Sequence, residues 1–188
     1  GLVVTTLGRV DPLERLLGSL SGQLKARDRL VIVAQERAPE VEALAAAHRG
    51  PDFAIIVTTS ERGASLRRNT RVGHLRSADV PLVFPNDTTS FPTGSIAALR
   101  EHAHDLDVGA LTVIDENGPK FTLPAPGTPL DRWNVWSVIE MGLLMRRSVF
   151  DELGGFDTGI GTGAPTPWQA GEATDLLLRL LARRPDLA

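Results

Sequence analysis

Two short stretches carry carboxylates in settings where they could do chemistry. The first is Pro81-Leu82-Val83-Phe84-Pro85-Asn86-Asp87-Thr88-Thr89. Its apolar run reads as a buried strand, Pro85 stops the ladder, and Asp87 follows in a polar turn. In an open α/β sheet, ligands sit outside the carboxyl ends of the strands. A carboxylate there suits a divalent cation shared with substrate phosphates. The plain alternative is a turn whose Asn and Asp serve only the backbone. The second stretch is Trp168-Gln169-Ala170-Gly171-Glu172-Ala173-Thr174-Asp175. At this spacing Glu172 and Asp175 share one helix face near its start. Acids in a first turn often do no more than complement the helix dipole. The chemical alternative is a general base, which must reach the hydroxyl it deprotonates. Trp168 adds a flat aromatic face, and the glycine-rich loop 157–171 before it could close over a ligand.

A third group gathers at other strand ends. Thr5, Thr6 and Arg9 follow the first apolar run, and Gln35 and Glu36 follow the second. Glu61-Arg62-Gly63-Ala64-Ser65-Leu66-Arg67-Arg68-Asn69 leads from the third run into a helix start. Free N–H groups at a helix start attract anions, and arginine adds a planar fork for phosphate. The plain alternative makes Arg67, Arg68 and Arg71 a solvated helix face. His48, His74, His102 and His104 fall on outer helices and read as surface residues. There is no Walker loop, no GxGxxG after the first strand and no nucleophile elbow.

The elements that must position these groups alternate. Strands are expected over 2–6, 30–33, 53–57, 82–84 and 108–114, and helices over 11–24, 39–48, 63–75 and 92–104. The first helix shows the clearest spacing, with Leu13, Leu16, Leu17, Leu20 and Leu24 on one stripe. This alternation implies parallel βαβ units in a doubly wound sheet. After Asp115 the pattern loosens into turns and a proline-rich loop over 123–131. A strand over 141–145, a short helix over 148–153, the loop 157–171 and a helix over 172–184 follow.

The 188 residues suit one domain, 42% hydrophobic and 23% charged, as in ordinary globular proteins. A net charge of −3 leaves no global field for nucleic acid. The chain has no cysteine, so it forms no disulfides and no thiolate metal sites. No run spans a bilayer and no signal-peptide pattern opens the chain, so a cytoplasmic location is expected. Lysine is confined to Lys25 and Lys120 amid many arginines, which suggests a GC-rich, bacterial genome.

In order, these motifs resemble a family 2 glycosyltransferase with the GT-A fold, over nearly the whole chain. That family's polar turn and leucine-rich helix look like Val4-Thr5-Thr6-Leu7-Gly8-Arg9 and the helix after it. Its arginine–asparagine pair is similar to Arg68-Asn69, with Gly63 ahead of it. Its aspartate-rich metal motif resembles Phe84-Pro85-Asn86-Asp87-Thr88, here thinned to a single aspartate. Arg146-Arg147, then Gly154-Gly155-Phe156-Asp157, then Gly171-Glu172-Ala173-Thr174-Asp175 complete the match.

The resemblance implies a single GT-A-like domain over 1–188 with a mostly parallel central sheet. Residues 1–115 would hold the nucleotide sugar and 116–188 the acceptor. It implies inverting transfer of a sugar from a nucleotide-diphosphate donor to an acceptor hydroxyl, assisted by Mg²⁺ or Mn²⁺ at Asp87. Glu172 would be the base, with Asp175 second. Thr5, Thr6, Arg9, Glu36, Gly63, Arg67, Arg68, Asn69, Asn86 and Asp87 would bind the donor. Asp157 and Trp168 would border the acceptor, a small molecule or a carrier-linked glycan met in peripheral contact with a membrane. The alternative is an impaired GT-A-like module that binds nucleotide or glycan. A nucleotidyltransferase on a similar sheet is a third reading.

Overall fold

The apolar runs of the first half become four parallel strands: β1 (Leu2–Thr6), β2 (Arg29–Ala34), β3 (Ala54–Thr59) and β4 (Pro81–Val83). The computed structural model describes residues 1–50, 53–59, 65, 68, 69, 72, 73, 75 and 80–185. Gly63 and Arg67, with Glu61, Arg62, Arg71 and His74, lie outside the described residues. Helices α1 (Val10–Leu20) and α2 (Ala38–His48) connect the first three strands, and α3 (Ser95–Ala103) follows β4. Ser65, Arg68, Asn69 and Val72 are helical, as the sequence predicts for that region.

The sheet has six strands in the order β3-β2-β1-β4-β8-β5. Five of the six run as parallel neighbours would. β8 (Leu143–Arg146) inserts between β4 and β5 (Val108–Ala110) and is antiparallel to both. The alternating pattern up to residue 114 implies parallel strands, and this one reversal leaves the sheet mostly parallel, as expected. The reason is its connection: a βα crossover returns a chain to the same end of the sheet, whereas the excursion over 111–142 brings it back from the opposite end. That excursion holds a two-strand hairpin, β6 (Ile114–Asp115) and β7 (Gly118–Pro119), and 3₁₀ turns at Asn134–Ser137 and Glu140–Gly142. The single strand expected over 108–114 is thus split between the main sheet and the hairpin. The last helices are α4 (Arg147–Glu152) and α5 (Glu172–Arg183).

Alternation along the strands sorts the core into two layers. Leu2, Val4, Leu30 and Ile32 face α1 and α2, where they meet Leu13, Leu16, Leu17, Leu20, Val41 and Ala45. Val3, Val31, Val33, Leu82 and Phe84 face the other way, onto Phe150, Phe156, Leu176, Leu177 and Leu180. Phe84, Phe150 and Phe156 form an aromatic trio with ring centroids 4.9–5.3 Å apart. Among the described residues no helix is long and apolar enough to cross a membrane.

Candidate functional site

Strand register sets the first half of the site. β1 and β4 pair at Leu2 and Val83, and a parallel bridge joins Thr5 to Asn86 beyond Pro85. The next residues, Thr6 and Asp87, therefore lie side by side. The Thr6 hydroxyl donates to Asp87 Oδ2 at 2.7 Å, and Arg9 Nε donates to the same oxygen at 3.2 Å. Arg9 also donates through Nη2 to Oδ1. Gly8 N–H donates to Thr6 Oγ1 at 3.1 Å and locks the hydroxyl's direction. Gly8 takes a φ of +80°, and a Cβ there would lie 2.6 Å from the Glu36 carbonyl oxygen. Only glycine allows the two strand-end loops to touch this closely. So Thr5, Thr6, Arg9, Asn86 and Asp87 are gathered at the carboxyl ends of β1 and β4, with exposed Glu36 beside them. A shallow cavity of about 470 Å³ lies next to them, lined by Arg9, Val10, Asp11, Pro12 and Arg37.

The second half lies around the start of α5. Glu172 is 7% exposed. Gly161, at φ +107°, packs onto its carboxylate so tightly that a Cβ there would sit 2.2 Å from Glu172 Oε1. The loop 157–171 is thus a cover on Glu172, and it is tied into shape. Gly161 N–H donates to the Trp168 carbonyl at 2.8 Å, Ser65 Oγ to the Ile160 carbonyl at 2.8 Å, and Gly159 N–H to Asp157 Oδ1 at 2.8 Å. Trp168 projects from the loop with 69% of its surface exposed.

Sequence reasoning missed Glu140. It lies in the 3₁₀ turn before β8 and accepts from Arg68 Nη2. Burial raises the Glu140 pKa above the ordinary carboxylate value, the Arg68 cation opposes this, and Glu172 raises it further. A lone glutamate ahead of the apolar run 141–145 was the available signal. Its partner, 72 positions away at Arg68, is found only through the fold.

Arg68 and Asn69 are placed with this second half, not beside Asp87. Arg68 is buried against Glu140 and lies 5.9 Å from the Phe156 ring centroid. Asn69 uses both ends of its amide on the Phe156 backbone, at 2.7 and 2.8 Å. Asp175 accepts from Arg179 at 2.8 Å, and Arg179 also donates to the carbonyls of Leu153 and Gly155. The two carbonyl bonds tie α5 to the end of α4. The two halves of the site meet through the aromatic trio: Phe84 precedes Asp87, and Phe156 carries Arg68 and Asn69. A larger groove of about 1640 Å³ starts at Asn86 and Thr88 and runs past Phe91, Val113, Leu130 and Leu181. Neither Asp87 nor Glu172 lines it.

The donor set at Asp87 allows one kind of metal site. Among the described residues no three His, Asp or Glu side chains cluster as a self-contained site. Asp87 is a single carboxylate, 1% exposed, with both oxygens engaged. The group covering it, Arg9, is 54% exposed and borders solvent. The residues therefore fit a cation completed by a ligand's phosphates, as Mg²⁺ is commonly held.

Neither a family model nor a curated protein matches the chain. Solved structures do. Residues 1–349 of S. aureus TarS superpose with a TM-score of 0.71 at 14% identity, over 95% of this chain and 55% of that fragment. TarS 1–349 has also been solved with UDP-GlcNAc. The mannosyltransferase PcManGT of Pyrobaculum calidifontis, in complex with GDP-Man and Mn²⁺, gives 0.60 at 18% identity, over 87% and 48%. A 4-diphosphocytidyl-2C-methyl-D-erythritol synthase of Anaerococcus prevotii gives 0.55 at 9%, over 95% and 81%. The chain spans about half the length of the two transferases. It has a GT-A-like fold, a mixed α/β architecture around a mostly parallel six-stranded sheet.

Proposed function

We propose that the protein is a family 2-like glycosyltransferase that moves a sugar from a nucleotide diphosphate to an acceptor hydroxyl with inversion. The observation that carries this reading is the pairing of two buried carboxylate sites across one aromatic trio, on a fold like those of transferases solved with UDP-GlcNAc and GDP-Man. Residues 1–115 hold the donor in this reading and 116–188 the acceptor.

In the reaction the acceptor oxygen bonds to the anomeric carbon as the bond to the diphosphate breaks. The electron pair leaves with the diphosphate, and the acceptor's proton goes to Glu172. Negative charge grows on the leaving group, where fixed positive charge is most effective. Arg9 serves that purpose: released from Asp87, its fork reaches a phosphate. A divalent ion, Mg²⁺ or Mn²⁺, shared between Asp87 and the diphosphate would neutralise the same charge. Thr5, Thr6, Asn86 and Glu36 shape the nucleoside side. Trp168 offers a ring face and Asp157 a carboxylate to the acceptor, a glycan or small molecule. For that acceptor to reach Glu172, Gly161 must lift, so opening of the loop 157–171 is part of turnover.

The test has two arms. A screen of nucleotide sugars should find one that raises the melting temperature, since a ligand of the folded state stabilises it. With that donor, Glu172→Gln should cost about a hundredfold in transfer rate, the usual size of a general-base contribution. Donor binding with undiminished transfer in Glu172→Gln would refute the base. Glycan binding without nucleotide binding would favour a non-catalytic module.

A further inference from the structure

We propose that Arg9 keeps the cation position at Asp87 closed until a diphosphate takes up its guanidinium, so that metal and nucleotide bind only together. The inference rests on the reading of this site as the donor's, and adds to it a binding order and the residue that enforces it.

Asp87 is 1% exposed and both of its oxygens are engaged. Oδ2 accepts from the Thr6 hydroxyl at 2.7 Å and from Arg9 Nε at 3.2 Å, and Oδ1 accepts from Arg9 Nη2. Thr6 Oγ1 itself accepts from Gly8 N–H, so its own proton is directed at Asp87. The guanidinium therefore grips the carboxylate at two points, the strongest form of such a contact. The Arg9 backbone is tied elsewhere: it caps α1, and its carbonyl accepts from Leu13 N–H at 3.3 Å. The side chain, 54% exposed, is the part left to change partners. It lines the cavity of about 470 Å³ together with Arg37, a second cation, and Asp11, the one acid on that wall.

A free divalent cation meets a closed site. To reach Asp87 it must shed water and break a two-point ion pair, and it gains one carboxylate. A diphosphate changes the exchange. Its oxygens suit the guanidinium fork as the carboxylate does, and they supply the further ligands that a cation needs. Arg9 passes from carboxylate to phosphate, and Asp87 is left for the cation. Every charge then keeps an opposite partner, which a buried carboxylate requires. By linkage, nucleotide raises metal affinity by the same factor as metal raises nucleotide affinity.

Mn²⁺ titration, read from the electron paramagnetic resonance of the free ion, tests this without turnover. Mn²⁺ alone should bind the wild type no better than Asp87→Asn. Arg9→Gln should bind it about tenfold tighter than the wild type, within the usual range of a coupling between sites. The double variant Arg9→Gln/Asp87→Asn should lose that gain. Arg9→Gln leaves a buried carboxylate without its counter-charge, so its melting temperature should drop and Mn²⁺ should raise it, while the wild type does not respond. Should Arg9→Gln fail to fold, Arg9→Lys keeps the charge but not the fork, and should show a smaller gain in the same direction. Addition of UDP, GDP, CDP or ADP should bring Mn²⁺ onto the wild type, and the same nucleotide should add less in the Arg9 variants.

Unchanged Mn²⁺ affinity in both Arg9 variants overturns the proposal. So does Mn²⁺ binding to the wild type, but not to Asp87→Asn, with no nucleotide present. Either result leaves the transferase reading standing when a nucleotide binds. If none of the four nucleotides binds, the donor reading fails instead, and the nucleotide-free titrations still decide whether Arg9 shuts Asp87 to cations.

Discussion

Asp87, Glu172 and Asp175 are all acids beside a loop or helix start, yet their surroundings give them different work. Asp87 is clamped by Thr6 and Arg9. Replacing it with Asn should weaken nucleotide-diphosphate binding by about tenfold, from the loss of charge-assisted contacts. Calorimetry with Mn²⁺ present measures this, and chelation should weaken the wild type in the same direction while barely touching Asp87→Asn. Asp175 is held in a half-exposed pair with Arg179. Asp175→Asn should leave transfer nearly intact and cost about 0.5–1 kcal/mol of stability in urea, the usual worth of such a pair. A large loss of rate instead would make Asp175 the base. Glu140 gives a pH signature. Its pKa is higher folded than unfolded, so the stability it contributes is present in acid and is lost as pH rises through the folded value. The melting temperature of Glu140→Gln should therefore gain on the wild type toward alkaline pH.

At the scale of elements, the loop 157–171 and helix α5 act as one device. The loop is tied by its own hydrogen bonds and by Ser65, so it should move as a unit and not fray. Its contact with Glu172 is Gly161, where both the positive φ and the lack of space exclude a side chain. Gly161→Ala should push the loop off Glu172. Hydrogen exchange should then rise across 157–171 while the strands keep their protection. If exchange in the loop is unchanged, the loop does not act as the cover inferred for it. Strand β8 matters in another way. By inserting antiparallel between β4 and β5 it sets the turn before it, and with it Glu140, against Arg68.

Across the whole molecule, the two halves of the site depend on the trio Phe84, Phe150 and Phe156. Phe156→Ala should destabilise the fold by about 3–5 kcal/mol, the cost of emptying a large core position. It should also loosen Arg68 and Asn69, which rest on the Phe156 ring and backbone. Urea denaturation gives the first quantity. A loss under about 1 kcal/mol would mean that the trio is not the joint between the halves.

Much of this was legible from residue order alone, because it depends on local rules. The leucine stripe of α1, the β-branched strands, the carboxylate after β4 and the acids heading α5 follow from periodicity and turn chemistry, which need only near neighbours in the chain. Strand alternation was enough for the layered sheet, and the order of the motifs carried the resemblance to a GT-A fold. The parts that only the tertiary structure decided are pairings across long stretches of chain: Arg9 on Asp87, Arg68 on Glu140, Asn69 on Phe156, and β8 reversed between two strands. A side chain's partner at that separation is chosen by how layers pack and how strands register. Identical local sequence can meet many different neighbours, so composition and spacing carry no record of the choice.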